Sequence, residues 1–172
     1  MSLPPMSSPP VAASPICAPE PRVDGRQSAT ALALQRGVLR HFAALGLLGI
    51  PEFCLASGRR ADITALDARG EITIVEIKSS VTDFRTDAKW PEYRPFCDRL
   101  LFAVPLEFPL EILPDDVGIL VGDAFGAEMI RPPPLHPVSA STRKALLIRL
   151  ARAGAGRLAA LHDPHLRGAS DF

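Results

Sequence analysis

Asp62, Glu76 and Lys78 are the residues of this chain whose types and spacing point most directly to chemistry. They lie in GRRADITALDARGEITIVEIKSS, where two runs rich in β-formers, Arg60 to Leu66 and Ile72 to Ile77, flank Asp67-Ala68-Arg69-Gly70-Glu71. That connection suits a three-residue hairpin loop with Gly70 at the position of positive φ. If Asp67 and Glu71 close the loop as a pair, Asp62 falls opposite Glu76 and Arg60 opposite Lys78, all four on one face of the sheet. Two carboxylates directly opposite one another repel. A divalent cation between them reverses that sign, because hard cations take carboxylate oxygens. A two- or four-residue loop would instead put the two acids on opposite faces. The other face carries Ile63, Ala65, Val75 and Ile77, which are suited to a core.

An acid on one strand followed by Glu-x-Lys on the next resembles the core of the PD-(D/E)XK nuclease superfamily. GRRADI, IVEIKSSVTDFRTDAKWPEY and CDRLLFAVP are similar to the MmcB-like bacterial DNA-repair proteins within it, over about Leu34 to Leu161. The resemblance implies a restriction-endonuclease-like α/β fold, a mixed β-sheet flanked by helices with a C-terminal helix. It also implies Mg²⁺ or Mn²⁺ as cofactor and DNA as partner, with other repair proteins as further partners. The metal ligands would be Asp62, Glu76 and the backbone carbonyl of Ile77. Lys78 would orient the attacking water or stabilise charge in the transition state. Residue 61 is Ala rather than the Pro of the superfamily pattern. Glu52, upstream, is a candidate additional carboxylate and equally an edge residue. The bland alternative for the whole group is an Asp–Lys–Glu ion cluster that only pins the hairpin. A catalytically weak or inactive DNA-binding scaffold of the same fold is the alternative function.

Composition bounds these readings. The 172 residues suffice for one domain with a single core, and 47% hydrophobic with 22% charged residues is ordinary for a globular protein. Zero formal net charge argues against general DNA coating, since nonspecific affinity rests on many Lys/Arg–phosphate contacts. The charge is uneven: residues 100–137 carry six acids and one base, whereas residues 138–167 carry six bases and one acid. Candidate DNA contacts are Arg59, Arg60, Arg85, Lys89, Arg94 and Arg99, with Trp90 and Tyr93, the sole Trp and Tyr, as stacking groups. Arg85 and Lys89 share a face if one helix carries both, and plain packing is the competing reading of Trp90. Asp98 and Arg99 are placed for an internal ion pair.

Three cysteines without metal-ligand spacing read as reduced thiols of a cytoplasmic protein, and Cys97 lacks an obvious base. No apolar run reaches a membrane span, and the first residues lack the pattern of a secretory signal. His162 and His165 flank Pro164 without an acidic partner, and no phosphate-binding glycine loop is present. Monomer and homodimer are both open.

The elements that must position the acids follow from periodicity. Residues 1–25, rich in Pro, Ser and Ala, read as a disordered tail, and 26–167 as one domain. A helix is expected from Ser28 to Leu45, stopped by Gly46 and Gly49, then a short strand from Glu52 to Ala56 and the hairpin. Ser80 caps a helix, and Pro91 ends it or begins another. Strands are expected at Leu100–Val104, Val117–Val121 and Ala127–Ile130, and a closing helix from Ser139 or Ser141 to Leu161. Leu146, Leu147, Leu150, Leu158 and Leu161 form its expected apolar stripe, with Lys144, Arg149 and Arg152 on a solvated face.

Overall fold

In the computed structural model, which describes residues 28–87 and 89–165, one six-stranded mixed sheet is covered on both faces by helices. The tail expected at residues 1–25 lies outside the described residues. The order is α1 (Ala29–Ala44), β1 (Leu48–Cys54), β2 (Arg60–Leu66), β3 (Ile72–Ile77), α2 (Val81–Thr86), a 3₁₀ segment (Trp90–Phe96), β4 (Arg99–Val104), a 3₁₀ turn (Leu110–Ile112), β5 (Gly118–Gly122), β6 (Ala127–Arg131) and α3 (Ala140–His162). Strands are ordered as in the sequence. β1, β2 and β3 are antiparallel, β4 and β5 add in parallel to β3, and β6 closes antiparallel. No helix among the described residues is long and apolar enough to cross a membrane.

Strand alternation divides the apolar residues between two layers. Ile63, Ala65, Val75, Ile77, Leu101 and Ala103 pack beneath Leu34, Val38 and Phe42 of α1. Ile72, Ile74, Leu100 and Phe102 point the other way, into a larger cluster with Tyr93, Leu146 and Leu150. Every residue of β3 is buried, as expected for a strand at the centre of a two-sided sheet. Ser28 caps α1, Ser80 caps α2 and Ser139 caps α3, each accepting a hydrogen bond from an amide in the first turn.

Several expectations need correction. β1 begins at Leu48 rather than Glu52 and contains Gly49 and Pro51. Gly46, with φ 77°, ends α1. Gly49 instead permits close approach, since a Cβ there would lie 2.8 Å from Leu39. Pro51 is tolerated because β1 is an edge strand. Secondly, Arg85 and Lys89 do not share one helix face, because α2 ends at Thr86 and Asp87 is non-helical.

Thirdly, the buried stripe of α3 is Leu146, Leu150, Ala153 and Gly156, whereas Leu158 and Leu161 are exposed. The helix passes over the edge of the sheet there, and arginines take over from leucines. Arg149 donates to the Cys54 carbonyl at 3.0 Å, and Arg157 to the Pro51 and Glu52 carbonyls at 2.6 and 3.1 Å. Arg149 therefore does not lie on a merely solvated face.

Asp98 pairs with α3 rather than with its neighbour Arg99, since adjacent strand residues point to opposite faces. Its buried carboxylate accepts the Ile72 amide at 2.7 Å, the Val138 amide at 3.0 Å and both terminal nitrogens of Arg143 at 2.7 Å. Arg143 also donates to the Gly70 carbonyl at 2.6 Å, tying the hairpin turn to α3. Arg99 binds Glu71.

Burial alone would raise the Asp98 pKa, but the Arg143 and backbone hydrogen bonds outweigh it and hold the carboxyl below its ordinary value. A depressed pKa supplies stability above the unfolded value and loses it as pH falls through the folded one. Asp98→Ala is expected to cost about 1–3 kcal/mol, the usual consequence of leaving a buried donor such as the Ile72 amide unsatisfied. Asp98→Asn should flatten the acid limb of the Tm-against-pH curve below about pH 4. An unchanged acid limb would show that Asp98 is not part of that transition.

Candidate active site

The hairpin register sets the site. The Asp67 amide donates to the Glu71 carbonyl at 3.2 Å, and the Asp67 carboxylate accepts the amides of Arg69 and Glu71, both at 2.8 Å. Gly70 takes φ 83°, as the turn requires. Leu66 then faces Ile72, and the pairing runs without a slip to Ile63 and Val75, so the next facing positions are Asp62 and Glu76.

There side chains replace the ladder. The Ile77 amide donates to the Asp62 carboxylate at 2.7 Å, and the Asp62 amide approaches Glu76 Oε1 at 3.4 Å. Each acid therefore binds backbone of the opposite strand, and both side chains line one cleft.

That cleft, of about 470 Å³, is lined by Asp62, Glu76, Ile77 and Lys78 at its centre. Arg60, Tyr93, Ser79, Asp83 and Asp87 also line it, with Ser28 and Ala31 from the start of α1. Glu76 and Lys78 are only 4% and 2% exposed, so neither can relax into water. Burial pushes the Glu76 carboxyl far above the ordinary range, and the charge of Asp62 pushes it further. Asp62 is raised in the same direction, first by burial and less by the charge of Glu52, against the stabilising Ile77 amide. The two acids are held together at an energetic cost.

Lys78 does not balance the pair unaided. Its Nζ hydrogen-bonds Asp87 and lies 4.0 Å from Glu76 Oε2 and 5.9 Å from the Phe102 ring centroid. Asp87 sits just beyond α2. Burial would raise its pKa, but the bond from Lys78 and the Lys89 amide outweigh it and lower the value. Asp83 accepts the Ser79 amide at 2.9 Å and its hydroxyl at 3.1 Å, fixing the chain just after Lys78. Neither acid was singled out from the sequence as a site residue. The available signal was two like charges four residues apart beside the Glu-x-Lys strand, an arrangement unfavourable on a helix by itself.

Glu52 occupies the β1 position beside Asp62, between the pairs Pro51–Ile63 and Phe53–Ala61. It has φ 51°, unusual for a residue other than glycine, and its carboxylate lies 2.7 Å from Arg60 Nε. Ile50 and Phe53, three apart, both pack into the larger core cluster, so strand alternation changes phase at this residue.

The other candidate DNA contacts are scattered. Arg59 binds Glu92 at 2.7 Å, and Arg94 binds Asp116 at 2.9 Å. Arg99 lies at the far end of β4, paired with Thr73 rather than near Glu76. Trp90 packs edge-on against Phe102 at 5.6 Å, and the Tyr93 hydroxyl donates to the Arg60 carbonyl at 3.0 Å. Arg85 and Lys89 are exposed, and neither lines the cleft. The Cys97 thiol is buried and pushed up to about 12, which removes it as a nucleophile.

The donor set suits a hard cation. Among the described residues, no three His, Cys, Asp or Glu side chains gather as a metal-binding group. Two facing carboxylates are as many protein ligands as Mg²⁺, which keeps several waters, commonly uses.

Because both carboxyls are raised, their cost to stability is absent below their unfolded pKa values and grows as pH rises. Asp62→Asn should therefore raise the metal-free Tm by at least about 2 °C, with a larger gain near pH 8 than near pH 5. Thermal melts in chelator at both pH values provide the check, and a lowered Tm would contradict the repulsion.

A family model described as DNA repair protein MmcB-like matches residues 18–165. Among solved structures, a protein of unknown function from Silicibacter pomeroyi is similar, with 42% sequence identity and a TM-score of 0.79. The similarity covers 83% of this chain and 97% of that one. No curated protein matches the chain.

Proposed function

Because the chain belongs to the MmcB-like family of DNA repair proteins, we propose that its cleft hydrolyses a DNA phosphodiester bond with a divalent metal, as the likeness to PD-(D/E)XK nucleases implies. The observation that carries this reading is the pair of raised carboxylates, Asp62 and Glu76, facing each other beside the buried Lys78. A fold has little reason to set a half-buried acid against a buried one unless a cation joins them. A buried ion cluster alone is often less stable than an apolar replacement.

In this reading Asp62, Glu76 and the Ile77 carbonyl hold Mg²⁺ or Mn²⁺. When bound, the ion supplies Lewis acidity at a phosphate oxygen and lowers the pKa of a bound water. The Ile77 amide fixes one Asp62 oxygen, leaving the carboxylate's remaining lone pairs toward the cleft. Lys78, one pleat beyond Glu76, would stabilise charge on the developing phosphorane. Arg85 and Lys89, both exposed, would contact phosphates of the bound DNA. Arg59, Arg60, Arg94 and Arg99 already face Glu92, Glu52, Asp116 and Glu71, so DNA must compete for them. This pairing favours a second reading, a nuclease-fold scaffold with weak catalysis.

The test is cleavage of labelled single-stranded, duplex, flapped and four-way DNA with Mg²⁺ or Mn²⁺. Glu76→Ala and Lys78→Ala should each lower the rate by at least about 100-fold. Saturating metal should raise the wild-type Tm, and Asp62→Ala should abolish that gain. Structure-selective binding without cutting would favour the scaffold. Cutting that survives both substitutions would remove these residues from the chemistry.

A further inference from the structure

We infer that Asp87 is a positioning residue whose carboxylate keeps the Lys78 ammonium off Glu76, leaving Glu76 open to the metal. This inference rests on the metal-dependent reading of the cleft and adds a fourth side chain to its centre. Lys78 is 2% exposed, so its ammonium must find a counter-ion within the protein. Two are in reach. Asp87 already accepts a hydrogen bond from Nζ, while Glu76 Oε2 stands 4.0 Å away, beyond hydrogen-bonding distance.

Take away the Asp87 charge, and Glu76 becomes the nearest anion. A short movement of Nζ would make a direct Lys78–Glu76 pair. That pair would occupy a Glu76 oxygen and cancel the charge intended for a cation. The Asp87 carboxylate is itself anchored, with Oδ1 accepting the Lys89 amide at 3.0 Å, so Oδ2 stays aimed at Lys78. The residue follows the short helix that Ser80 caps, and its own amide donates to Asp83. The end of α2 thus delivers one acid to the lysine.

The experiment measures Mn²⁺ binding by titration calorimetry on full-length wild type, D87N, K78M and the K78M/D87N double variant, with D87E as the conservative control. With Lys78 present, D87N should weaken Mn²⁺ binding by about tenfold. In the K78M background the same substitution should cost less than about threefold, because only a distant charge is lost. D87E should restore most of the wild-type affinity. Melting curves establish that each variant is folded, and K78M/D87N supplies the comparison if D87N alone is poorly stable. An equal loss in both backgrounds would make Asp87 merely a remote charge and overturn the inference. Wild type that binds no Mn²⁺ would sink the metal reading of the cleft and this assignment with it.

Discussion

Register in the β2–β3 hairpin is the constraint on which the site depends. Side chains alternate with a period of two, so a slip of one residue would send Asp62 into the layer beneath α1 and bring Ile63 into the cleft. The turn resists such a slip through its own chemistry. Asp67 accepts two amides of the loop, Gly70 takes the left-handed conformation, and Arg143 holds the Gly70 carbonyl from across the molecule. The acids at the far end are thus located by contacts about five residues away along each strand.

The same hairpin sets two kinds of carboxylate against each other. Asp98 lies in a pocket of donors, two amides and a guanidinium, and its burial is favourable to folding. Glu76 is buried and Asp62 half-buried, with few donors, and the two face one another, so theirs is not. Both arrangements connect to β3, one at each end. The strand's first amide, at Ile72, is bound by Asp98, and its last, at Ile77, by Asp62. A stable anchor at one end of the central strand helps hold an unfavourable cluster at the other, the usual relation between scaffold and functional site.

Much of this was legible in the sequence, and the divisions fall along physical lines. Local chemistry could be read: the Ser80 cap, the three-residue turn with Gly70, and the facing of Asp62 and Glu76 all follow from short-range rules. Partners separated by long stretches could not. Arg143 lies 45 residues from Asp98, and Arg157 lies 106 from Pro51, so neither pairing leaves a periodic trace. Asp87 was hidden for another reason. Its role depends on where the chain turns after α2, which no helical spacing encodes. The lower part of α3 misled because Leu158 and Leu161 have the right spacing but pass beyond the sheet they would cover.

The arginines of α3 have a consequence beyond packing. β1 is an edge strand, and the backbone of such a strand is a template on which another molecule can lay a strand of its own. Three of its carbonyls, at Pro51, Glu52 and Cys54, are engaged by Arg157 and Arg149. An intruding chain would first have to displace two guanidinium groups. A truncation within α3 would therefore do more than thin one layer of the fold. It would uncover that row of acceptors next to the apolar Ile50, and convert a guarded rim into a point of intermolecular aggregation.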